Sequence, residues 1–358
     1  MISEQKDKIL YTYDKPIIWN LSCFGNLYHM DIFDKFIQIL KENNVEIPNC
    51  TLHGSFICKY NGGRVSHYHD SFEHIKAYIK KYNDLGIGIK LTFSNMDIHK
   101  EQFEEKEMRQ YLDLLDETKG IGNGIICVND DFAELVKKNY PDLDLVASYV
   151  KMELETKIGI TDTPDYYNSK FDLYDIVVMN AFRAFDDEFL SKITHPEKVE
   201  FIVNHYCATN CPYGTEHHKQ VELIQKIHLR HNFNENAFSD DEEYVDCMTS
   251  GKCIAKKCSV NFNTFEKIRT QYINREEINH LLNTFGINRF KIEGRDYVDS
   301  DFLLDLYTYI INIYGPYRFL SHKVTKNLHL KDDLAYYDKK IKQHKKDKSL
   351  FPNKVKLY

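Results

Sequence analysis

Eight short β-rich runs, each followed by a segment of helical period, make up most of this chain, and that alternation leaves few folds open to it. The runs are Ile17 to Phe24, Thr51 to Ile57, Gly88 to Phe93, Gly124 to Asn129, Leu143 to Tyr149, Asp175 to Asn180, Val199 to His205 and Asn288 to Glu293. Helical patterns follow them at Met30 to Asn43, Ser71 to Asn83, Glu101 to Thr118, Asp131 to Asn139, Tyr166 to Phe171, Asp186 to Lys192, Glu216 to His228 and Ser300 to Tyr314. Strands joined by helices are parallel, and eight such units in roughly 300 residues predict an α/β fold, a (β/α)8 TIM-like barrel. A doubly wound open sheet is the alternative.

Local signals agree. Asp70 with Glu73, and Asn274 with Glu277, place an N-cap residue three positions ahead of an acid and just before apolar helical positions. Gly86 and Gly286 stop their helices immediately before a strand. The barrel is expected over 1–315. Within it, 206–262 is much longer than an ordinary strand-to-helix connection and reads as an insertion after strand seven. Residues 316–358 form a Lys-rich C-terminal extension, with eight Lys between Asp338 and Tyr358. It reads as a solvated tail or as a contact for RNA or an acidic partner.

The insertion carries the chemistry. Cys207, Cys211, Cys247, Cys253 and Cys258 fall between the seventh and eighth strands, and Cys207 follows directly on a strand whose carboxyl end would open on the barrel mouth. No run approaches the length of a membrane span and the N-terminus lacks the apolar core of a secretory signal, so no membrane association and a cytoplasmic location are expected. Nine cysteines in reducing cytosol do not form a disulfide framework, which leaves metal binding for the cluster. Cys50, Cys58 and Cys127 stand apart and read as small buried apolar residues. Four thiolates complete either an iron–sulfur cubane or a tetrahedral zinc site. Cys207, Cys211, Cys253 and Cys258 are the expected ligands, with Lys252, Lys256 and Lys257 offsetting thiolate charge and Cys247 as a possible substitute. A radical-SAM triad is ruled out because Gly214 stands where its third cysteine would.

Polar residues gather at the other strand ends. Asn20 and Ser22, His53 and Ser55, Ser94 and Asn95, Asn129, Asn180, Asn204 and His205, and Glu293 and Arg295 all fall where a barrel collects its pocket. The inventory reads as hydrogen-bonding rather than ionic, with Glu293 and Arg295 the one evident ionic pair. Asn20, His53, Asn95, Asn180 and Asn204 are therefore the expected substrate contacts, and Glu293 and Arg295 the expected catalytic pair, each equally readable as a structural brace.

The stretch Asn204-His-Tyr-Cys-Ala-Thr-Asn-Cys-Pro-Tyr213, with His217 after it, and the distant Gly286-Ile-Asn-Arg-Phe-Lys-Ile-Glu-Gly-Arg295 resemble the peptidase U32-related barrel proteins. The resemblance spans about Val199 to Asp296, and Met248-Thr-Ser-Gly-Lys-Cys253 only faintly echoes the family's Ser-Tyr-Ser-Gly segment. It implies a four-cysteine 4Fe–4S cluster and oxygen-independent hydroxylation of RNA bases or quinone precursors. Cysteine spacing departs from the larger members, so substrate does not carry over.

The chain is accordingly expected to be an iron–sulfur-dependent modifying enzyme, an oxidoreductase or hydroxylase. Its expected substrate is a small polar molecule, a modified peptide or an RNA base, and a protein partner is possible. A zinc-containing hydrolase or peptidase, and a non-catalytic metal-stabilised partner in a modification complex, are the alternatives. Gly-x-Ser-x-Gly, a Walker loop, Gly-x-Gly-x-x-Gly after the first strand and His-Glu-x-x-His are all absent.

Overall fold

The computed structural model describes residues 9–56, 58–62, 70–156, 161–205, 214–231, 240–249, 273–294 and 299–312. Eight parallel strands close into a barrel in chain order: β1 Ile18–Phe24, β2 Cys50–Gly54, β3 Gly88–Phe93, β4 Gly124–Cys127, β5 Asp144–Ala147, β6 Ile176–Met179, β7 Val199–Ile202 and β8 Arg289–Ile292. The first and last strands complete the ring, Ile18 pairing with Arg289 and Leu21 with Ile292. The (β/α)8 barrel expected from the sequence is the fold.

The outer layer comprises α1 Leu27–Glu42, α2 Phe72–Asn83, α3 Lys106–Asp116, α4 Asp130–Asn139, α5 Tyr149–Glu155, α6 Pro164–Asn168 and α7 Asp187–Leu190. After β7 come α8 Gly214–Arg230, α9 Glu242–Thr249 and α10 Arg275–His280, the last running into a π turn at Leu281–Phe285; α11 Asp299–Tyr309 follows β8. Strand residues alternate between two cores. Ile125, Cys127, Leu145, Ala147, Val177, Met179 and Phe201 belong to the large core under the helices, while Ile126, Val146, Ile176, Val178 and Ile202 form a separate cluster on the opposite face of the same strands, inside the barrel.

Caps set the boundaries. Asn274 and Glu277 form the reciprocal box the sequence suggested: Glu277 N–H donates to Asn274 Oδ1 at 2.9 Å and Asn274 N–H to Glu277 Oε2 at 2.8 Å. At α2 the cap lies one residue later than expected. Ser71 Oγ accepts from His74 N–H at 3.2 Å, and Asp70 instead takes the Ser71 N–H at 2.8 Å. Gly86 and Gly286 both adopt φ near +75°, the left-handed conformation that ends a helix. β5 stops at Ala147, short of the expected Tyr149, because Ser148 Oγ accepts from Val150 N–H at 3.2 Å and starts α5, a helix the sequence reading had not anticipated.

The connection after β7 returns over the barrel mouth. Helix α8 is tied to the loops after β2 and β3: Gln225 Nε2 donates to the Cys58 carbonyl at 2.9 Å, and the buried Glu222 carboxylate accepts from Met96 N–H at 2.9 Å. His218 on α8 pairs with Glu153 on α5. The expected boundary at 315, residues 316–358 and most of 206–262 lie outside the described residues.

Candidate functional site at the barrel mouth

Charged and polar side chains line the barrel on one side of its axis. Asn20, on β1, donates through Nδ2 to both oxygens of Glu200 on β7, at 3.2 and 3.1 Å. Its carbonyl oxygen therefore faces His53 Nδ1, 2.9 Å away on β2. An amide oxygen only accepts, so His53 carries a proton on Nδ1 and a neutral ring keeps its basic lone pair on Nε2. Lys291, on β8, holds its ammonium 3.9 Å from Glu200. These four residues are buried, and a carboxylate and an ammonium out of water cost several kcal/mol each unless their geometry repays it.

A second pair lies at the end of β8. Glu293 Oε1 is 3.1 Å from His205 Nδ1, both side chains being more than nine-tenths buried, and the Tyr149 ring packs on the imidazole with centroids 4.5 Å apart. Asn204 fixes the backbone of Glu293 from behind. Its Oδ1 accepts from Glu293 N–H at 2.9 Å, and its Nδ2 donates to the Glu293 carbonyl at 2.9 Å and to Asp305 on α11 at 2.7 Å. The backbone that carries Glu293 is thus clamped between β7 and α11.

Above these groups opens a cleft of about 580 Å³, open solvent included, at the carboxyl end of the strands. Its polar wall is made by His53, Thr92, Ser94, Ser148, Lys291 and Glu293, its apolar wall by Ile126, Ile202, Tyr149 and Val150, and His218 of α8 lies at its edge. Gly62 lets the loop after β2 press against the loop after β3. A Cβ there would lie 1.9 Å from the Ser94 carbonyl oxygen.

Of the residues singled out from the sequence, His53 and Glu293 line this cleft and Asn20 supports it from the strand below. Asn204 meets Glu293 but spends its amide on the Glu293 backbone and on Asp305. Asn180 does not join them. Its Nδ2 donates to the buried Asp162 at 3.0 Å, in a cluster completed by Arg183 Nε at 2.8 Å and Tyr167 Oη at 2.7 Å. Asn95 shapes its own loop, donating to the Lys59 carbonyl at 2.9 Å and accepting from Asp97 N–H at 2.8 Å. Cys207, Cys211, Cys253, Cys258 and Arg295 lie outside the described residues, as do the side chains of Cys247 and His217.

The sequence reading of a neutral inventory is corrected by Glu200 and Lys291, which it had not singled out. One signal for them existed. β8 reads Arg289-Phe-Lys-Ile-Glu293, charged at every second position, and a strand covered by helices on one side can place that face only inside the barrel. At the amino end of the barrel Lys90 pairs with Asp144, and burial pulls the Lys90 ammonium below its ordinary pKa despite that carboxylate. That end of a barrel serves stability.

Cys23, Cys50, Cys58 and Cys127 are free thiols buried in the core. Burial pushes Cys50 and Cys127 up to about 12, so both are thiols rather than thiolates at neutral pH. Native protein at pH 8 should leave Cys50 and Cys127 unmodified by iodoacetamide while denatured protein exposes them, as read by peptide mass mapping. Rapid native alkylation of either would contradict their placement. Among the described residues no group of three or more His, Cys, Asp and Glu could hold a metal ion. No helix among them is long and apolar enough to cross a membrane.

No protein-family model matches this chain, and no curated protein matches it. A solved structure of a U32 peptidase is similar over 79% of this chain and 95% of its own, at 12% sequence identity and a TM-score of 0.45. At that level the likeness adds nothing to the fold already evident from the strand pairing.

Proposed function

We propose that this chain is an enzyme that modifies a small polar substrate at the carboxyl end of its barrel, with a cysteine-ligated 4Fe–4S cluster as its redox group. The observation that carries the reading is the set of buried charges around the cleft. Glu200, Lys291 and Glu293 occupy positions that apolar residues would fill at lower cost if the barrel served architecture alone. Cys207, Cys211, Cys253 and Cys258 are assigned to the cluster, with Cys247 the substitute. Two arguments support this: the donor set of soft thiolates, and the burial of the described cysteines as free thiols. Cys207 follows His205 by two residues, which ties the thiol segment in sequence to a side chain that pairs with Glu293.

When bound, such a cluster supplies one-electron transfer. The chain's own residues orient and protonate. His53, with Nδ1 committed to Asn20, is held on the cleft wall and is assigned the role of general base. Glu293, its backbone clamped by Asn204, pairs with His205 Nδ1 and fixes the orientation of that ring beside the cleft. Arg295, two residues on, is assigned to the substrate's polar group as a hydrogen-bond donor. The reaction we assign is an oxygen-independent redox modification such as a hydroxylation, in which a substrate C–H would become C–OH with the oxygen taken from water and the two electrons and two protons released would pass to an external electron acceptor.

The test needs no prior substrate. Cells lacking the gene are complemented with wild type or with Glu293→Gln, and small molecules, RNA nucleosides and peptides are profiled by mass spectrometry. One oxidised product should vanish on deletion and return with wild type only, while Glu293→Gln accumulates as folded protein with unchanged iron. A product restored in full by Glu293→Gln would remove that residue from the site. A hydrolytic product in its place would favour the zinc-hydrolase reading.

A further inference from the structure

Strand pairing alone does not place the Glu293–His205 pair. The register of β7 on β8 runs out with Ile202 opposite Lys291, and Val203 N–H still reaches the Lys291 carbonyl at 2.9 Å. Beyond that point a side chain takes over from the ladder. Asn204 Oδ1 accepts from Glu293 N–H and its Nδ2 donates to the Glu293 carbonyl, each at 2.9 Å, so the amide stands in for the peptide of a neighbouring strand. Glu293 is thereby kept in line past the end of β8, where its carboxylate meets His205.

That rung works only one way round. Turned by 180°, the Asn204 amide would set its oxygen against the Glu293 carbonyl and its nitrogen against the Glu293 N–H. The other hydrogen on Nδ2 goes to Asp305 Oδ2 at 2.7 Å, and a carboxylate only accepts, so it admits the nitrogen end of the amide and repels the oxygen end. Asp305 is fully buried on α11, where its buried neighbours at helical spacing are Phe302, Leu306 and Tyr309. One turn on, the Tyr309 hydroxyl donates to the Val203 carbonyl at 2.9 Å, so α11 grips both residues ahead of His205. A buried carboxylate costs several kcal/mol unless its bonds repay it, and an apolar side chain would pack there at lower cost if α11 only covered the barrel.

We propose that Asp305 is a positioning residue of the active site: acting through the Asn204 amide, it holds Glu293 and His205 at their pairing distance. The proposal rests on the reading of Glu293 as part of the active site.

The test compares the full chain, carrying isotope-labelled histidine and prepared without oxygen, as wild type, Asp305→Asn and Asp305→Ala at one fixed pH. The His205 ring-nitrogen resonances, assigned by their loss in His205→Gln, report the hydrogen bond to Glu293. Asp305→Ala removes the acceptor and should move these signals toward their position in Glu293→Gln, with the cellular product lowered at least about tenfold and iron unchanged. Asp305→Asn keeps an acceptor for Asn204 and should stay near wild type in both. A brace with no role in the site would lower the melting temperature of Asp305→Ala while leaving the His205 signals and the product of the folded protein as in wild type. That result overturns the proposal, as does Asp305→Asn proving as damaging as Asp305→Ala. Should Asp305→Ala fail to fold, hydrogen exchange in the wild type decides. The Asn204 side-chain amide hydrogens, assigned by their loss in Asn204→Asp, should exchange at least about a hundredfold more slowly than exposed side-chain amides, and exchange at the exposed rate would overturn the proposal. The His205 signals are read in any folded protein, so a wild type without iron or oxidised product sinks the proposed function alone.

Discussion

Glu200→Ala should destabilise the protein by about 3–5 kcal/mol, the cost of breaking a buried charge pair from one side. The variant leaves the Lys291 ammonium without the carboxylate 3.9 Å away and removes both acceptors of the Asn20 amide. Asn20 would then lose the orientation that presents its oxygen to His53. Glu200→Gln retains an acceptor and should cost less. The informative variant is the double replacement, Glu200→Leu with Lys291→Met. Replacing both charges by apolar residues of similar size is often neutral or stabilising, so the melting temperature should recover most of the single-variant loss, short of wild type by the cost of the buried Asn20 amide left without its acceptors. Turnover should not return, because Lys291 faces the cleft. A single Glu200→Ala that melts like wild type would mean the network contributes nothing to the barrel, and a fully active double variant would mean it contributes nothing to the chemistry.

Cys207→Ala and Cys211→Ala should each abolish bound iron and acid-labile sulfide, since a four-iron cluster is lost when one of its thiolate ligands is removed. Cys50→Ala and Cys127→Ala should leave both contents unchanged, because these thiols are buried in the core and protonated. The two core variants should instead show a modest loss of stability, about 1 kcal/mol or somewhat more, from the small cavity each creates. Cys253 and Cys258 should behave as Cys207 does, and comparison with Cys247→Ala decides which four ligate. Iron retained in Cys207→Ala and in Cys211→Ala would remove the cluster from this segment.

Strand number and order were legible because parallel barrel strands are buried on both faces and leave compact apolar runs between polar helical segments. Boundaries were less so. Ser148 ends β5 by capping a helix, a choice that depends on a hydroxyl turning to Val150 N–H. At the site, residues adjacent to a strand end could be read as mouth residues, but not which way each amide turned. Asn180 is engaged by Asp162 and Asn204 by Asp305, partners 18 and 101 residues away that only the closed barrel brings near. Glu200 and Lys291 escaped notice for a different reason. Charged residues inside a short apolar strand read as solvent-facing, and closure of the ring turns that face inward.

The cluster is tested most directly by the composition of the full chain prepared without oxygen, measured by iron and zinc analysis, acid-labile sulfide and visible absorption. About four iron and four sulfide per chain are expected, with a broad absorption shoulder in the blue that bleaches on reduction. Stoichiometric zinc without iron or sulfide would contradict it.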